Sequence, residues 1–257
     1  YFILYNIIFR IMKKPIYIIS DNHFMLEKNN KEQIRRTKIF KLFSHIKKTG
    51  GTLIIGGDFF DFWLESFYGI PNQYDDILSE LEKLKLNNIA IHYVVGNHDY
   101  WDFGFISKKC DAIIHKSDFI FNINDKKILI THGDGLLKND VLYRFMKKII
   151  RSKLFIFCIR LIPSSIMTLI AKKVSSTKSK FNKSQHLPDN CKQELENYAI
   201  NKINNNKIDT VLMGHYHQLG IKKINNGHFI HLGDWINQYT VTILTEEETW
   251  TQETWDQ

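Results

Sequence analysis

Short runs of β-branched and aliphatic residues alternate along the chain with longer stretches whose apolar positions recur every three or four residues. Ile16 to Ser20, Thr52 to Ile55 and Ile91 to Val95 read as strands, with helices over Lys31 to Lys48 and Tyr74 to Leu86 between them. Strands separated by helices of this length pair in parallel, because only a crossover connection returns the chain to the same end of a sheet. Further on, Phe119 to Ile123 and Lys127 to Thr131 flank the polar Asn124 and Asp125 and read as a hairpin. Val211, Leu219 to Ile224, His228 to Leu232 and Tyr239 to Leu244 supply more strands, and a second, more antiparallel sheet is expected from them. Between these groups, Val141 to Ala171 has a helical period rich in Leu, Ile, Phe, Lys and Arg, and Pro163 is expected to stop one helix. This stretch reads as a helical insertion, followed by a polar loop over Ser175 to Ser184.

Length limits the organisation: 257 residues fit one large α/β domain carrying an insertion better than two independent domains. The expected boundaries are a single domain over 12–257 with 136–200 as a helical lid. Tyr1 to Ile11 form a short apolar stretch before Met12, Lys13 and Lys14, and are expected to be an upstream extension outside the fold. The net charge of +8 is uneven, since Lys and Arg concentrate between Lys138 and Lys183 while Glu246 to Asp256 is acidic. A basic, partly apolar segment suits an anionic lipid surface or lipid-like substrate, and a basic face also suits nucleic acid. Cys110, Cys158 and Cys191 are odd in number and lack a CxxC spacing, which argues against a disulfide framework or thiolate zinc site and for a reducing compartment.

Candidate chemistry gathers where the predicted strands end, the edge at which α/β folds open a shared crevice. The clusters are Asp21-Asn22-His23, Gly57-Asp58-Phe59-Phe60-Asp61, Gly96-Asn97-His98-Asp99, His132-Gly133-Asp134 and Gly214-His215-Tyr216-His217. Alternation along a strand is expected to put Asp21 with His23, and His215 with His217, on one side, so that each pair converges on an ion. Carboxylate, imidazole and amide oxygen donors suit Mn, Fe or Zn, and a carboxylate such as Asp58 can bridge two ions. Two such ions about 3.5–4 Å apart polarise a phosphoryl group and activate water for in-line displacement.

The order DxH, GDxxD, GNHD, HGD, GHxH from Ser20 to His217 resembles the calcineurin-like metallophosphoesterase superfamily. That resemblance implies a four-layer αββα sandwich of two mixed sheets. It implies one divalent ion on Asp21, His23, Asp58 and His217, and a second on Asp58, Asn97, His132 and His215. It also places His98 beside the phosphate as a catalytic proton donor, with Asp99 orienting its ring and Asp61 and Asp134 holding ligands or backbone from behind.

A narrower likeness runs through HGDGLLKNDVLYRFMKKIIR, the basic insertion ending in SSTKSK, and HLGDWINQYT. These phrases, with GDFFDFW and GNHDYW, resemble the UDP-2,3-diacylglucosamine hydrolases (diphosphatases) of lipid A biosynthesis in Gram-negative bacteria. The resemblance implies attack by a metal-bound hydroxide on the α-phosphorus, giving UMP and 2,3-diacylglucosamine 1-phosphate, with Mn as the expected metal. Asn97, His98, Asp140, Tyr143, Ser179, Lys180, Lys183 and His215 then match substrate-binding positions, although an Arg expected near Ser179 is replaced by Thr177 or Lys178. His98 is a second departure, since Arg commonly follows the Asn there. Phe145, Leu154, Phe155, Phe157, Ile159, Leu161, Ile166, Met167 and Leu169 are the candidate acyl-chain contacts. The expected setting is cytoplasmic, peripheral on the inner membrane. The alternatives are a dinuclear-metal phosphodiesterase or nuclease for another nucleotide or nucleic-acid substrate, and a non-catalytic interaction module, against which the intact ligand set argues.

Overall fold

Four consecutive apolar residues, Ile16–Ile19, form β1, buried on both faces as a strand inside a layered sheet must be. The computed structural model describes residues 12–163, 166, 169 and 187–255; the expected extension over Tyr1 to Ile11, and Met167, Thr177, Lys178, Ser179, Lys180 and Lys183, lie outside the described residues. After β1 come α1 (Asn30–Thr49), β2 (Thr52–Ile55), α2 (Asp75–Leu86), β3 (Ala90–Val94), α3 (Phe105–Cys110) and β4 (Ile113–His115). Strands β1 to β4 pair in parallel, as the alternating pattern requires. The hairpin follows as β5 (Phe119–Ile123) and β6 (Lys126–Thr131), then helices α4 (Val141–Ile150), α5 (Lys153–Arg160) and α6 (Asp189–Asn206). The chain closes with β7 (Thr210–Met213), β8 (Leu219–Ile224), β9 (Gly227–Leu232), β10 (Thr240–Leu244) and β11 (Trp250–Thr254).

Two mixed sheets result, ordered β11-β10-β1-β2-β3-β4 and β5-β6-β7-β9-β8. Strand alternation sorts their side chains into three apolar layers. Tyr17, Ile19, Leu53, Ile55 and Ile91 pack under Ile39, Leu42, Phe43 and Ile46 of α1 and Ile77, Leu78 and Leu81 of α2. The opposite faces, Ile16, Ile18, Ile54 and Val94, meet Ile128, Ile130, Leu212 and Ile230 of the second sheet. Leu129, Val211, Met213 and Phe229 then pack against Leu195 and Ala199 of α6. Helix, sheet, sheet and helix are the four layers.

Two expectations need correction. Tyr239 to Leu244, expected in the second sheet, instead supplies β10, which pairs antiparallel with β1 in the first. The second sheet is also parallel at its centre, where β6, β7 and β9 lie side by side. Hydrophobic period reveals a strand but not its partner, and only the inter-sheet packing decides which sheet takes it. The helical insertion breaks at Arg151 and Ser152 as well as before Pro163: the Ser152 hydroxyl accepts from Phe155 N and starts α5, which ends at Arg160, just ahead of the proline as expected.

Ile54 is fully buried between the sheets on the strand that leads to Asp58. Ile54→Ala is expected to destabilise the protein by about 2–5 kcal/mol in denaturant unfolding. Ile120→Ala, at a side chain 49% exposed, is expected to change stability by less than about 0.5 kcal/mol. Equal effects would contradict the layer assignment.

Candidate metal centre

The parallel strands of both sheets end at one rim, and the loops after β1, β2, β3, β6 and β7 each carry one predicted cluster. Asp21 N donates to Gly57 O at 3.0 Å and His23 N to Asp58 O at 2.8 Å, so the loops after β1 and β2 run side by side. Asp21 (φ 52°), His23 (φ 45°), Asp58 (φ 50°), His215 (φ 67°) and His217 (φ 52°) all adopt left-handed backbone. Such conformations cost of order 1–3 kcal/mol each and concentrate where function over-determines the backbone. They also correct the expected geometry. Asp21 and His23 lie beyond the end of β1, and His215 and His217 beyond β7, so strand alternation is not what turns them inward. Left-handed residues at every second position do that. His215 and His217 accordingly diverge: His217 groups with Asp21 and His23, and His215 with Asp58 and His132.

Asp58 sits at the middle. Its Oδ2 lies 3.4 Å from His132 Nε2, 3.6 Å from His23 Nε2 and 3.9 Å from His98 Nε2. Asp21 Oδ1 lies 3.6 Å from His217 Nε2 and 3.8 Å from His23 Nε2. These separations exceed the roughly 2.7–3.2 Å of an N–H···O hydrogen bond. Those among Asp21, His23, Asp58, His132 and His217 match instead the spacing of two donors that share one ion at about 2.1 Å from each. Asp21 Oδ1 is buried without a hydrogen-bond partner, which is costly unless a cation satisfies it. Asn97 Oδ1 adds an amide oxygen 3.3 Å from His132 Nε2. Oxygen and imidazole donors of this kind fit divalent first-row metals.

Ring orientation follows from what stands behind each histidine. His132 Nδ1 donates to Gly56 O at 3.1 Å, His23 Nδ1 faces Asp61 Oδ1 at 3.5 Å, and His217 Nδ1 faces Asp234 Oδ2 at 3.4 Å. All three therefore present Nε2 inward, the arrangement by which backing groups fix a metal-ligating tautomer. Glycine makes room for the crowding: a Cβ on Gly96 would lie 2.1 Å from Asp58 Oδ1.

Burial raises the Asp58 carboxyl, but the imidazoles of His132, His98 and His23 outweigh it and hold the group well below the usual carboxylate range. Burial opposes protonation of His132, yet the adjacent Asp58 pushes it up to about 10. Burial and the neighbouring His132 push His215 down to about 3. Burial raises Asp21 despite His217 and His132. A pocket that gathers this much negative charge stabilises cations, and a cation replaces the proton on His132 when it binds.

Asp99 departs from its expected role. Its Oδ2 accepts from Phe59 N at 2.8 Å and Tyr93 OH at 2.5 Å, and its Oδ1 from Gly96 N at 2.6 Å, so it ties the loops after β2 and β3 together. The His98 ring is held instead by the Asp61 carbonyl, 2.8 Å from Nδ1. A backbone acceptor cannot be read from side-chain identity. Asp134 differs too: its Oδ2 takes Lys147 Nζ at 2.6 Å and Tyr143 OH at 2.6 Å, anchoring α4 rather than a histidine. Tyr143 thus points at Asp134, and Asp140 stands at the N-terminus of α4. Asp234 is the residue that the sequence reading misses, although Gly233-Asp234 follows β9 in the same pattern as Gly57-Asp58 after β2 and Gly133-Asp134 after β6.

The family model for calcineurin-like phosphoesterases matches residues 14–219. The UDP-2,3-diacylglucosamine hydrolase of Haemophilus influenzae (strain PittGG) is 26% identical over 91% of this chain and 96% of that protein. The hydrolase of the same name from Histophilus somni (strain 2336) is 28% identical over 86% and 92%. That of Porphyromonas gingivalis (strain ATCC BAA-308 / W83) is 24% identical over 53% of this chain and 54% of its own. The chain belongs to the calcineurin-like phosphoesterase family, which implies a phosphohydrolase that works with divalent metal ions.

Asp58→Ala is expected to abolish binding of both ions, measured by metal analysis after dialysis against Mn. Loss of groups behind a ligand already costs about 10–100-fold, so hydrolysis of a generic phosphodiester is expected to fall by more than that. Two retained ions with full turnover would refute a bridging Asp58.

Proposed function

We propose that this calcineurin-like phosphoesterase hydrolyses the diphosphate of UDP-2,3-diacylglucosamine at the α-phosphorus, giving UMP and 2,3-diacylglucosamine 1-phosphate. In this reading Asp21, His23, Asp58 and His217 hold one divalent ion, and Asp58, Asn97, His132 and His215 the other. Bound there, two cations supply Lewis-acid polarisation of the phosphoryl oxygens and a more acidic water. The chain supplies the rest. Because His98 Nδ1 donates to the Asp61 carbonyl, its Nε2 carries a proton only in the imidazolium form. That ring is 19% exposed at the mouth of the site, where an imidazolium protonates a departing phosphate oxygen.

The observation that carries the substrate reading is the apolar surface beside the rim. On α4 and α5, Leu142 is 79% exposed, Phe145 62%, Leu154 74% and Phe157 55%. Ile166 and Leu169 are exposed as well. An apolar patch of this kind, interleaved with Arg144, Lys147, Lys148 and Arg151, matches acyl chains joined to a diphosphate. We take 136–200 as the lid that receives them. Not every candidate contact is available: Ile159 packs against the main core, and Phe155 lies 6.4 Å from the Trp101 ring. The names of the relatives point to the same substrate.

Among the described residues no helix is long and apolar enough to cross a membrane. We place the protein in the cytoplasm, docked peripherally on the inner leaflet by the same helices, in a Gram-negative bacterium making lipid A. Mn is our choice of metal, with Fe or Zn accommodated by the same donors.

Purified protein with Mn is expected to release UMP from UDP-2,3-diacylglucosamine, followed by mass spectrometry, and to leave deacylated UDP-glucosamine nearly untouched. Leu154→Ser with Phe157→Ser is expected to lower kcat/KM for the acylated substrate about tenfold or more, from the apolar contact removed, without changing turnover of a generic phosphodiester. Turnover of the generic diester alone would sink the substrate assignment and favour a general phosphodiesterase.

A further inference from the structure

The buried face of α1 changes character along its length. Ile39, Leu42, Phe43 and Ile46 continue toward the N-terminus as Glu32, Arg35 and Arg36, which are 0%, 5% and 3% exposed. Buried ions are costly unless every charge and proton is matched. Glu32 Oε2 takes Arg35 Nη1 at 2.7 Å, and Glu32 Oε1 takes Arg36 Nε at 3.0 Å.

What the two guanidiniums hold differs. Arg35 Nε donates to Trp235 O at 3.0 Å, and its Nη2 donates to His23 O at 3.0 Å and to Asn22 O. Trp235 follows Asp234, whose Oδ2 faces His217 Nδ1 and whose Oδ1 accepts from the backbone of Ile236, Asn237 and Gln238. One planar fork therefore clasps the loop that carries Asp21 and His23 to the loop that backs His217, across 200 residues of sequence. Asp21, His23 and His217 form one donor set, separate from Asp58, His132 and His215. Arg36 instead reaches the carbonyls of Met25 and Gln73 and the Asp76 carboxylate, and touches no carbonyl of a predicted ligand.

We propose that Arg35 is a positioning residue for one ion of the pair, the one on Asp21, His23 and His217, and sets its affinity without governing the other. The inference rests on the two-ion reading of the site and is independent of the lipid substrate. Lysine cannot replace it, because a single ammonium lacks the fork that spans three carbonyls.

The test titrates full-length protein with Mn2+ alone, by calorimetry and metal analysis, and measures hydrolysis of bis(p-nitrophenyl) phosphate. Wild type is expected to bind two ions. Arg35→Lys is expected to keep one at wild-type affinity and weaken the other by about 10–100-fold, as loss of a group behind a ligand does. Its kcat is expected to fall while KM stays within about twofold. Arg36→Lys, equally buried and equally paired with Glu32, is expected to lower the melting temperature and keep both ions. Should Arg35→Lys fail to fold, Glu32→Gln with Arg35→Gln removes the buried charge pair and leaves Arg36 its Asp76 partner; the same loss of one ion is expected. Two wild-type ions in the Arg35 variant, equal weakening of both, or equal metal loss in Arg36→Lys would overturn the assignment. A wild type that binds fewer than two ions would overturn the two-ion reading and the inference with it.

Discussion

Much of this structure depends on keeping one carboxylate charged where water cannot reach it. Asp58 is 1% exposed, and burial alone favours its neutral form. His132, His98 and His23 reverse that preference from three sides, and His98 N donates to its Oδ1 at 2.8 Å. Bringing three imidazoles from three loops to one oxygen requires both sheets to end at a common rim. It also requires left-handed backbone at five of the seven candidate ligands, strain that the surrounding layers must hold in place.

The layers supply that restraint in a graded way. Away from the rim the layers pack mainly through apolar side chains, whereas toward the rim the elements turn polar: α1 passes from Ile46 and Phe43 to Arg35, and β3 is followed by Asp99, whose two oxygens accept from Phe59 N, Tyr93 OH and Gly96 N. On the far side of the site the restraint loosens. Helices α4 and α5 contain no buried residue, and α4 is held through Asp134, Trp101 Nε1 on Ile150 O and Arg151 over the Tyr100 ring. A rigid reacting centre next to a weakly anchored apolar surface is the arrangement expected where a polar reaction is performed on a lipid-like molecule.

The sequence made the strands, the order of the clusters and the parallel start legible, because each rests on local period or on a Gly-Asp or Gly-Asn pair after an apolar run. The assignment of Tyr239 to Leu244 to a sheet was not legible, since β10 finds β1 more than 200 residues away and period carries no partner information. Nor was the way Asp21 and His23 turn inward, because the sign of φ at a non-glycine residue leaves no hydrophobic pattern. The helix stop before Pro163 was legible, whereas the break at Ser152, also a capping residue type, lies where the helical period runs on unbroken. Arg35 carried none: within IRRTK it reads as a solvated helix face, and its burial follows from tertiary packing alone.

Crystals soaked in Mn and measured at the metal's anomalous edge test the central claim most directly. Two peaks about 3.5–4 Å apart are expected, with the Asp58 carboxylate between them, Asp21, His23 and His217 on one side and Asn97, His132 and His215 on the other. A single peak, or a pair that Asp58 does not bridge, would contradict it.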